Sequence, residues 1–290
     1  MKSSIRYSRS LAHGLALLVC LAWGSSSLTA LAQTKADSTY QPQVWQAGKD
    51  VVWVPTPDEL VTKMLQTAKV TKDDLVYDLG AGDGKIAIAA GLEFGARAIG
   101  IEYNPDMAAF AQRNVERAGV ADRVRIIRGD IFVEDFSQAT VVTMYLLPEL
   151  NLRLRPTLLK MKPGTRLVTN SFSMGDWEPD QIIRTSQNSG YFWIVPAQVQ
   201  GRWNLNGIDG NPVVSLDLQQ RYQHVGGTIT IGKLAPQTLL TPELQGDQLR
   251  FRFVDTQNRL QTVKATIRGD QLEGEVGHSF SKSSFKGSRP

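Results

Sequence analysis

The stretch LVYDLGAGDGK, residues 75–85, decides the fold predicted for this chain of 290 residues. It opens with the apolar segment Leu75–Asp78, passes through glycines at every second position, and leads into the small residues of KIAIAAGLEFG, 85–95. Glycine lets the backbone take angles that other residues avoid and lets it approach a ligand closely. The stretch therefore predicts a strand, a ligand-binding loop and a helix in direct succession.

Four more apolar segments follow, separated by helical or loop segments. They are Arg97–Ile101, Val124–Arg128, Thr140–Tyr145 and Arg166–Phe172. Apolar strands that alternate with helices are typical of a parallel sheet covered on both faces. We therefore expect an α/β domain with a Rossmann-like sheet over residues 51–197. At its start, Thr56 followed three residues later by Glu59 predicts a capping box for the first helix.

Polar side chains are predicted to collect at the carboxyl ends of these strands, where such sheets bind ligands. Asp78 ends the first strand, Glu102 ends the second, and Asp130 follows the third. Glu102 is placed to accept the hydroxyl protons of a ribose, as an acid does in dinucleotide folds. Asp130 is placed to accept the amino hydrogens of an adenine. Tyr145 ends the fourth strand at the same edge.

The glycine loop distinguishes between two nucleotide ligands. A dinucleotide fingerprint has a glycine where this chain has Lys85, whereas Gly80, Gly82 and Gly84 here follow the pattern D-x-G-x-G-x-G. Asp83 adds a negative charge that repels a pyrophosphate and attracts a cationic α-amino group. S-adenosyl-L-methionine (SAM) fits these residues better than a dinucleotide does. The alternative is a structural turn in a domain that has lost its ligand.

In this arrangement the chain resembles the class I SAM-dependent methyltransferases. The resemblance implies that Asp78–Gly84 holds the methionine part of SAM, that Glu102 holds the ribose, and that Asp130 and Ile131 hold the adenine. A closer resemblance is to the mitochondrial lysine methyltransferases that modify the c-subunit of ATP synthase and the adenine nucleotide translocase. Three segments carry it: VWVPTPDELVTKML (52–65), YLLPELNLRLRP (145–156) and SFSMGDWEPD (171–180).

The closer resemblance implies a substrate class and two further site residues. That group modifies lysine side chains of membrane proteins, and a segment before its first helix closes over the cofactor. The resemblance therefore implies a cofactor-binding role for Pro55 and Thr56, and a protein substrate associated with a membrane. It covers residues 51–185 and does not extend to the C-terminal part.

The end of the fourth strand bears on the methyl acceptor. Methyl transfer from a sulfonium is an in-line displacement that depends mainly on proximity and alignment, so it requires no strong general base. Relatives that methylate adenine or amide nitrogens have Asn or Asp, two prolines and an aromatic residue where this chain has Met144–Pro148. That departure favours a protein amine. Tyr145 either orients the acceptor as a catalytic residue or faces the core as a strand residue.

From residue 198 the hydrophobic pattern changes to a period of two, which is typical of half-buried antiparallel strands. VVSLDLQQ, TITIG, LRFRFVD, VKATIRG and LEGEV are the clearest examples. The pairs Asn206-Gly207, Asp209-Gly210, Gly226-Gly227, Gly246-Asp247 and Gly269-Asp270 predict turns between them. We expect a small β-barrel or sandwich over residues 198–290. Trp193 and Trp203 are interpreted as buried core residues at the domain junction.

Composition disfavours a metal site and a nucleic-acid-binding surface. Cys20 is the single cysteine, and three histidines occur without metal-ligand spacing, so no metal is expected. The N-terminal 32 residues contain three of the 32 basic residues and no acidic residue. The rest of the chain therefore has 29 basic and 28 acidic side chains. A nucleic-acid-binding protein normally carries more positive charge, so no nucleic-acid partner is expected.

The N-terminus predicts export. Residues 1–10 are basic, residues 11–24 form an apolar run, and Ala30-Leu31-Ala32 supplies the small side chains of a signal-peptidase site. We predict a signal peptide over residues 1–32, cleavage after Ala32, a linker over residues 33–50 and a location in the cell envelope or periplasm. The alternatives are an uncleaved leader that anchors the chain in a membrane, and a cytoplasmic protein translated from a later start.

Two functions from different classes follow from these features. The first is a SAM-dependent methyltransferase that acts on a protein lysine amine, and the intact loop with Glu102 favours it. The second is an exported binding protein that keeps the methyltransferase fold without catalysis, and the leader favours it because SAM is made in the cytosol.

Overall fold

The computed structural model describes residues 40–208, 213–278 and 281–290. The predicted signal peptide, its cleavage point after Ala32, the first part of the linker and the Asp209-Gly210 turn lie outside the described residues. Residues 42–290 form one unit that contains two sheets.

The first sheet has seven strands and is flanked by four helices. The strands are β1 (Leu75–Leu79), β2 (Arg97–Glu102), β3 (Val124–Arg128), β4 (Val141–Met144), β5 (Arg166–Asn170), β6 (Gln181–Arg184) and β7 (Ser189–Ile194). The helices are α1 (Asp58–Thr67), α2 (Lys85–Phe94), α3 (Pro105–Arg117) and α4 (Pro148–Leu158). The strand order is β3-β2-β1-β4-β5-β7-β6.

This sheet is mixed rather than wholly parallel. Strands β1 to β5 run parallel, while β7 pairs antiparallel with β5, and β6 pairs antiparallel with β7. The expected Rossmann-like α/β sheet is therefore present, with an antiparallel edge added to it. Strand β1 lies between β2 and β4, so the strand order reverses at its carboxyl end. A crevice for ligands forms at such a reversal.

Helix α1 begins without the predicted capping box. Its N-cap is Pro57, and no side chain caps it. The hydroxyl of Thr56 instead accepts a hydrogen bond of 3.2 Å from Nδ2 of Asn170, at the end of β5. The prediction was wrong because a buried partner 114 residues away takes the hydroxyl. The apolar face is as predicted, with Leu60 and Met64 fully buried.

The second sheet has nine antiparallel strands. They are β8 (Gly201–Asn206), β9 (Val214–Arg221), β10 (His224–Ile231), β11 (Gln237–Thr238), β12 (Leu240–Gln245), β13 (Gln248–Val254), β14 (Leu260–Arg268), β15 (Gln271–His278) and β16 (Ser281–Ser288). Their order is β11-β10-β9-β8-β16-β15-β14-β13-β12. The sheet curls until its two ends nearly meet. Near the gap, the amide of Leu239 donates to the carbonyl of Gly227 over 3.0 Å. A nearly closed barrel with a single apolar core is the result.

The turns of this barrel follow the glycine pattern in part. Gly246-Asp247 and Gly269-Asp270 each form a two-residue hairpin turn, as predicted. Gly226-Gly227, predicted as a turn, instead lies inside β10, paired with β9. A Cβ atom on Gly227 would lie 2.1 Å from the carbonyl oxygen of Asp217, so glycine serves the close approach of two strands here. The actual turn between β9 and β10 is Tyr222-Gln223.

Each sheet has a buried tryptophan in its core, Trp193 in the first and Trp203 in the barrel. Trp193 and Trp203 are both fully buried, which agrees with the interpretation as core residues. Each indole N–H has a hydrogen-bond acceptor, because Nε1 of Trp193 donates to the carbonyl of Trp177 over 3.0 Å and Nε1 of Trp203 donates to that of Val199 over 2.8 Å.

In the described part of the chain, no helix combines the length and the hydropathy needed to cross a membrane.

Candidate active site

A cavity of about 340 Å³ opens at the carboxyl ends of β1, β2, β3 and β4. That size is typical of a small-molecule site. Nine of the ten predicted site residues line it: Pro55, Thr56, Asp78, Gly80, Gly82, Glu102, Asp130, Ile131 and Tyr145. The topology therefore brings together residues that are up to 90 positions apart in the sequence.

The glycine loop folds over the end of β2. Amides of Gly80 and Ala81 both donate to the carbonyl of Ile101 over 2.9 Å. Gly80, Gly82 and Gly84 all have positive φ angles, of 78°, 55° and 82°. Side chains with a Cβ atom rarely adopt such angles, so the alternating glycines allow this tight path.

Gly84 is the one predicted site residue that does not line the cavity. It is the N-cap of α2, and a Cβ atom there would lie 3.3 Å from Cβ of Ala111 and 3.4 Å from Cδ1 of Ile126. Its glycine therefore serves the close packing of the loop against α3 and β3. The spacing alone gave no means of separating this packing role from a binding role.

Glu102 is held in place by the backbone on both sides. Its Oε2 accepts a hydrogen bond of 2.9 Å from the amide of Gly82, and its Oε1 accepts one of 2.9 Å from the amide of Asn104. Each oxygen keeps a further lone pair for a ligand. The carboxylate is thus fixed at the end of β2, facing the cavity, where two hydroxyl groups of a ribose can donate to it.

Three carboxyl groups make this end of the cavity electronegative. Burial raises the pKa of Asp78 to about 7, the hydroxyl of Thr143 opposes this shift from 2.8 Å, and the nearby charges of Asp83 and Glu102 add to it. Burial also raises the pKa of Asp83 and of Glu102. Within the described residues none of the three forms a salt bridge. Burial without an ion pair favours the neutral form of each acid.

This donor set fits SAM and disfavours a pyrophosphate. A ligand that carries an ammonium group and a sulfonium would place positive charge beside the three carboxyl groups and stabilise their ionised forms. Its ribose hydroxyls match the free lone pairs of Glu102. A pyrophosphate would add negative charge to a region that already disfavours its own carboxylates.

A flap formed by residues 45–53 makes one wall of the cavity. It folds back on itself, because the amide of Trp45 donates to the carbonyl of Trp53 and the amide of Trp53 donates to that of Gln46, each over 2.9 Å. Trp53 lies directly against the glycine loop, and a Cβ atom on Gly82 would come within 2.6 Å of its Nε1. The part of the predicted linker from residue 45 onward therefore belongs to the site.

The tip of the flap carries a residue that the sequence did not indicate. Nζ of Lys49 lies 2.7 Å from Oδ2 of Asp130, and 4.7 Å from the ring centroid of Tyr103. The hydrogen bond from Lys49 lowers the pKa of Asp130, and the amide of Phe132 donates to Oδ1 over 2.9 Å. Both oxygens of Asp130 thus already have partners, so an adenine amino group would share this carboxylate with the flap.

Two aromatic rings line the cavity at the ends of β4 and β5. Tyr145 lies one residue beyond β4, is partly exposed and faces the cavity. Its ring stacks on Phe172, with centroids 6.4 Å apart and planes inclined by 28°. Of the two interpretations left open for Tyr145, the position at the cavity is the one observed. Phe172 was not predicted as a site residue, since it reads as the last residue of an apolar strand.

Among the described residues, no group of three or more His, Cys, Asp or Glu side chains is arranged to hold a metal ion.

Comparison with known proteins places this site in a family. The family model described as the ANTKMT methyltransferase domain matches residues 78–181. A protein-lysine N-methyltransferase of Saccharolobus islandicus is 45% identical over 141 residues, which are 48% of this chain and 88% of that protein. The chain belongs to the family of SAM-dependent methyltransferases that this relative represents. It is an enzyme that uses SAM as its cofactor.

Two further relatives show how far the similarity extends. A lysine N-methyltransferase of Mus musculus, named for the c-subunit of ATP synthase, is 30% identical over 147 residues, which are 50% of this chain and 59% of that protein. A solved RNA methyltransferase of Salinibacter ruber in complex with S-adenosyl-L-homocysteine is 46% identical, with a TM-score of 0.49, and the match covers 50% of this chain and 96% of that one. The family model ends before the barrel of this methyltransferase begins.

Proposed function

We propose that this methyltransferase transfers the methyl group of SAM to the side-chain amine of a lysine in a protein. The observation that carries the proposal is the 45% identity across 88% of a protein-lysine N-methyltransferase. The cavity supports it, because its carboxyl groups suit a cationic cofactor and its opposite side is aromatic. The alternative, a binding protein without catalysis, predicts cofactor binding but no methyl transfer.

The chain's own residues divide the work of holding the cofactor. Asp78 and Asp83 would offset the positive charges, and the carboxylate of Glu102 would accept hydrogen bonds from the ribose. When bound, SAM supplies a methyl group activated by the positive sulfur. The flap excludes water from one side through Trp53, which packs on Gly82.

The aromatic pair would orient the acceptor. A lysine amine attacks only in its neutral form, and an apolar, partly dehydrated wall favours that form over the ammonium. Tyr145 and Phe172 offer such a wall, and the hydroxyl of Tyr145 can accept or donate a hydrogen bond at its edge. The proton that the amine gives up passes to solvent, so no general base is needed beyond the alignment that the rings provide.

Labelled-methyl transfer tests this proposal. The purified protein and SAM with a radiolabelled methyl group are incubated with membrane and soluble extracts. We expect a few labelled protein bands, and methyl-lysine after their acid hydrolysis. Label recovered only in RNA, DNA or small molecules would contradict a protein acceptor. Tight SAM binding with no transfer to any fraction would favour the binding protein.

We further propose that the protein is exported to the cell envelope and that its acceptor is a membrane-associated protein. The leader pattern of residues 1–32 supports export, and the relatives named for the c-subunit of ATP synthase support such an acceptor. Intact-mass measurement on the native protein tests export. A new N-terminus at Gln33 is expected, a retained Met1 would indicate an anchor, and a start beyond Gln33 would indicate a cytoplasmic enzyme.

A further inference from the structure

The barrel contacts the methyltransferase sheet through the turn between β9 and β10. Tyr222 in this turn has a φ angle of +55°, a left-handed conformation that residues other than glycine and asparagine rarely adopt. A large aromatic residue at such a position costs free energy unless its surroundings compensate for it. Arg155 on α4 lies over its ring, with Cζ 5.7 Å from the centroid, and Gln220 donates to its carbonyl over 2.7 Å. Its other contacts lead to one segment, residues 171–178, which follows β5 and is called here the β5 loop.

The first contact is aromatic. The ring of Tyr222 stacks on Trp177, with centroids 5.8 Å apart and planes inclined by 18°. Trp177 is fully buried, and its Nε1 donates to Oε1 of Gln223 over 3.0 Å. Nε2 of Gln223 returns a hydrogen bond of 2.7 Å to the carbonyl of Glu178. Both turn residues therefore bind the C-terminal half of the β5 loop.

A charged residue of the β5 loop, Asp176, adds further hydrogen bonds to the same end of the barrel. The carboxylate of Asp176 accepts hydrogen bonds from the hydroxyl of Tyr222 over 3.1 Å and from Arg221 over 3.0 Å. It also accepts one of 2.6 Å from Arg155 on α4. Arg155 in turn donates to the carbonyl of Met174 over 2.8 Å. One acidic residue of the β5 loop thus joins the barrel turn to the helix that follows Tyr145.

The other end of the same loop carries a wall of the cavity. Ser171 has a φ angle of +62°, a second left-handed residue, and it directs the chain into Phe172 beside Tyr145. Nδ2 of Asn151, on α4, donates to the carbonyls of Phe172 and Ser173 over 3.2 Å each. The β5 loop is therefore held beside the cavity by Asn151, and near its other end Trp177 is held by the barrel turn and by Trp193.

We propose that the β9–β10 turn of the barrel is a positioning element for the methyl acceptor. Tyr222 and Gln223 act through Asp176 and Trp177 to hold the β5 loop, and so hold Phe172 against Tyr145. Among the described residues, the carboxyl groups of Asp78, Asp83 and Glu102, which are proposed to hold the cofactor, form no hydrogen bond or ion pair with this turn. The inference rests on the proposed function in one respect, namely that the aromatic pair meets the acceptor.

The test compares the full-length protein with three variants. Tyr222→Ala removes both the stack and the hydrogen bond, whereas Tyr222→Phe keeps the stack. Asn258→Ala is the matched control, because Asn258 is also left-handed and lies in another hairpin turn of the barrel, between β13 and β14. Hydrogen exchange followed by mass spectrometry measures the β5 loop without any acceptor. Methyl transfer is measured with SAM and with membrane extract as the acceptor.

We expect Tyr222→Ala to speed exchange in residues 171–178 at least tenfold and to leave residues 78–85 unchanged. The apparent KM for the extract should rise about tenfold, while the KM for SAM stays within twofold. Tyr222→Phe should recover most of both effects, and Asn258→Ala should show neither.

Unchanged exchange in the β5 loop of Tyr222→Ala would overturn the inference. An equal rise in both KM values would also overturn it, because it would show a general loss of structure. If the unaltered protein labels no protein in the extract, the lysine proposal fails, and the exchange measurement alone decides the role of the turn.

Discussion

Lys49 and Asp130, 81 residues apart, form an ion pair of 2.7 Å that joins the tip of the flap to the end of β3. The lysine also lies over the ring of Tyr103, next to the carboxylate that is proposed to hold the ribose. This contact fixes the flap across the cavity even though Asp130 was expected to serve the adenine. The carboxylate of Asp130 therefore joins the flap to the end of β3, in addition to the adenine contact that the sequence predicts for it.

The first prediction concerns this ion pair. Lys49→Met keeps the length of the side chain but removes the charge, so we expect S-adenosylhomocysteine to dissociate about three- to tenfold faster. Stopped-flow tryptophan fluorescence measures the rate, since Trp45 and Trp53 lie on the flap. Lys63→Met is the control, because Lys63 pairs with Glu59 on the exposed side of α1. Equal rates in both variants would contradict a role for Lys49 in closure.

Gly82 allows a second test of the flap. Gly82→Ala would place a Cβ atom 2.6 Å from Trp53 and would also strain a backbone at φ +55°. Gly119→Ala has a similar strain, at φ +70°, but meets nothing within 4 Å. Backbone strain should cost each variant about 1 kcal/mol of stability, and Gly82→Ala should lose more because Trp53 must move. Only Gly82→Ala should lose affinity for SAM, by about tenfold or more in calorimetry, and a similar loss in Gly119→Ala would refute the assignment.

Glu102 is predicted to contribute directly to cofactor binding. Glu102→Ala removes a charge-assisted acceptor, so SAM should bind more weakly by about 1–3 kcal/mol in isothermal titration calorimetry. Glu275→Ala, on the exposed outer side of the barrel, should bind as the unaltered protein does. NADH should give no heat with either, because the loop disfavours a pyrophosphate. Wild-type affinity in Glu102→Ala would remove this residue from the site.

Asp78 makes the stability of the ligand-free protein depend on pH. Its pKa in the folded state is about 7, above that of an unfolded aspartate, so the folded state binds the proton more tightly. Stability therefore falls as the pH rises from about 4 to about 7, by at most about 4 kcal/mol from this group. Asp78→Asn should raise the Tm at pH 8 and change it little at pH 4. A lower Tm at pH 8 would contradict the assignment.

The aromatic pair can be tested separately from cofactor binding. Tyr145→Ala and Phe172→Ala should each lower the rate of methyl transfer about tenfold or more, with SAM affinity within twofold of the unaltered protein. Tyr145→Phe keeps the stack, so its rate reports the contribution of the hydroxyl alone. Full activity in both alanine variants would exclude the pair from the acceptor side.

Features encoded by neighbouring residues were predictable from the sequence. The glycine loop, the acids at the strand ends and the alternating strands of the barrel all depend on local spacing, and the structure places them as expected. Glu102 illustrates why: its position relative to Asp78 is set by one helix and one strand, which have regular lengths.

Features that depend on distant partners were not predictable. Nothing near Lys49 indicates that it meets Asp130, because only the folded topology brings them together. For the same reason the hydroxyl of Thr56 bonds to Asn170 and does not cap α1 as predicted. The pair Gly226-Gly227 predicts a turn but lies within β10, because glycine pairs serve both turns and close strand contacts. The true turn at Tyr222 has no turn-like residue, since its conformation is compensated by Trp177 and Asp176 in the other sheet.

The place of β16 in the barrel has a consequence for synthesis. This last strand pairs with β8, the first strand of the barrel, through Lys286, Gly287 and Ser288 only. The strands before it form two separate meanders, β8 to β11 and β12 to β15. In the strand order, β16 lies between them and is the strand that pairs with both. A nascent chain therefore keeps both meanders open until Ser288 has left the ribosome. The edges of β8 and β15 therefore stay unpaired until β16 has been made, and they are available to chaperones during that interval.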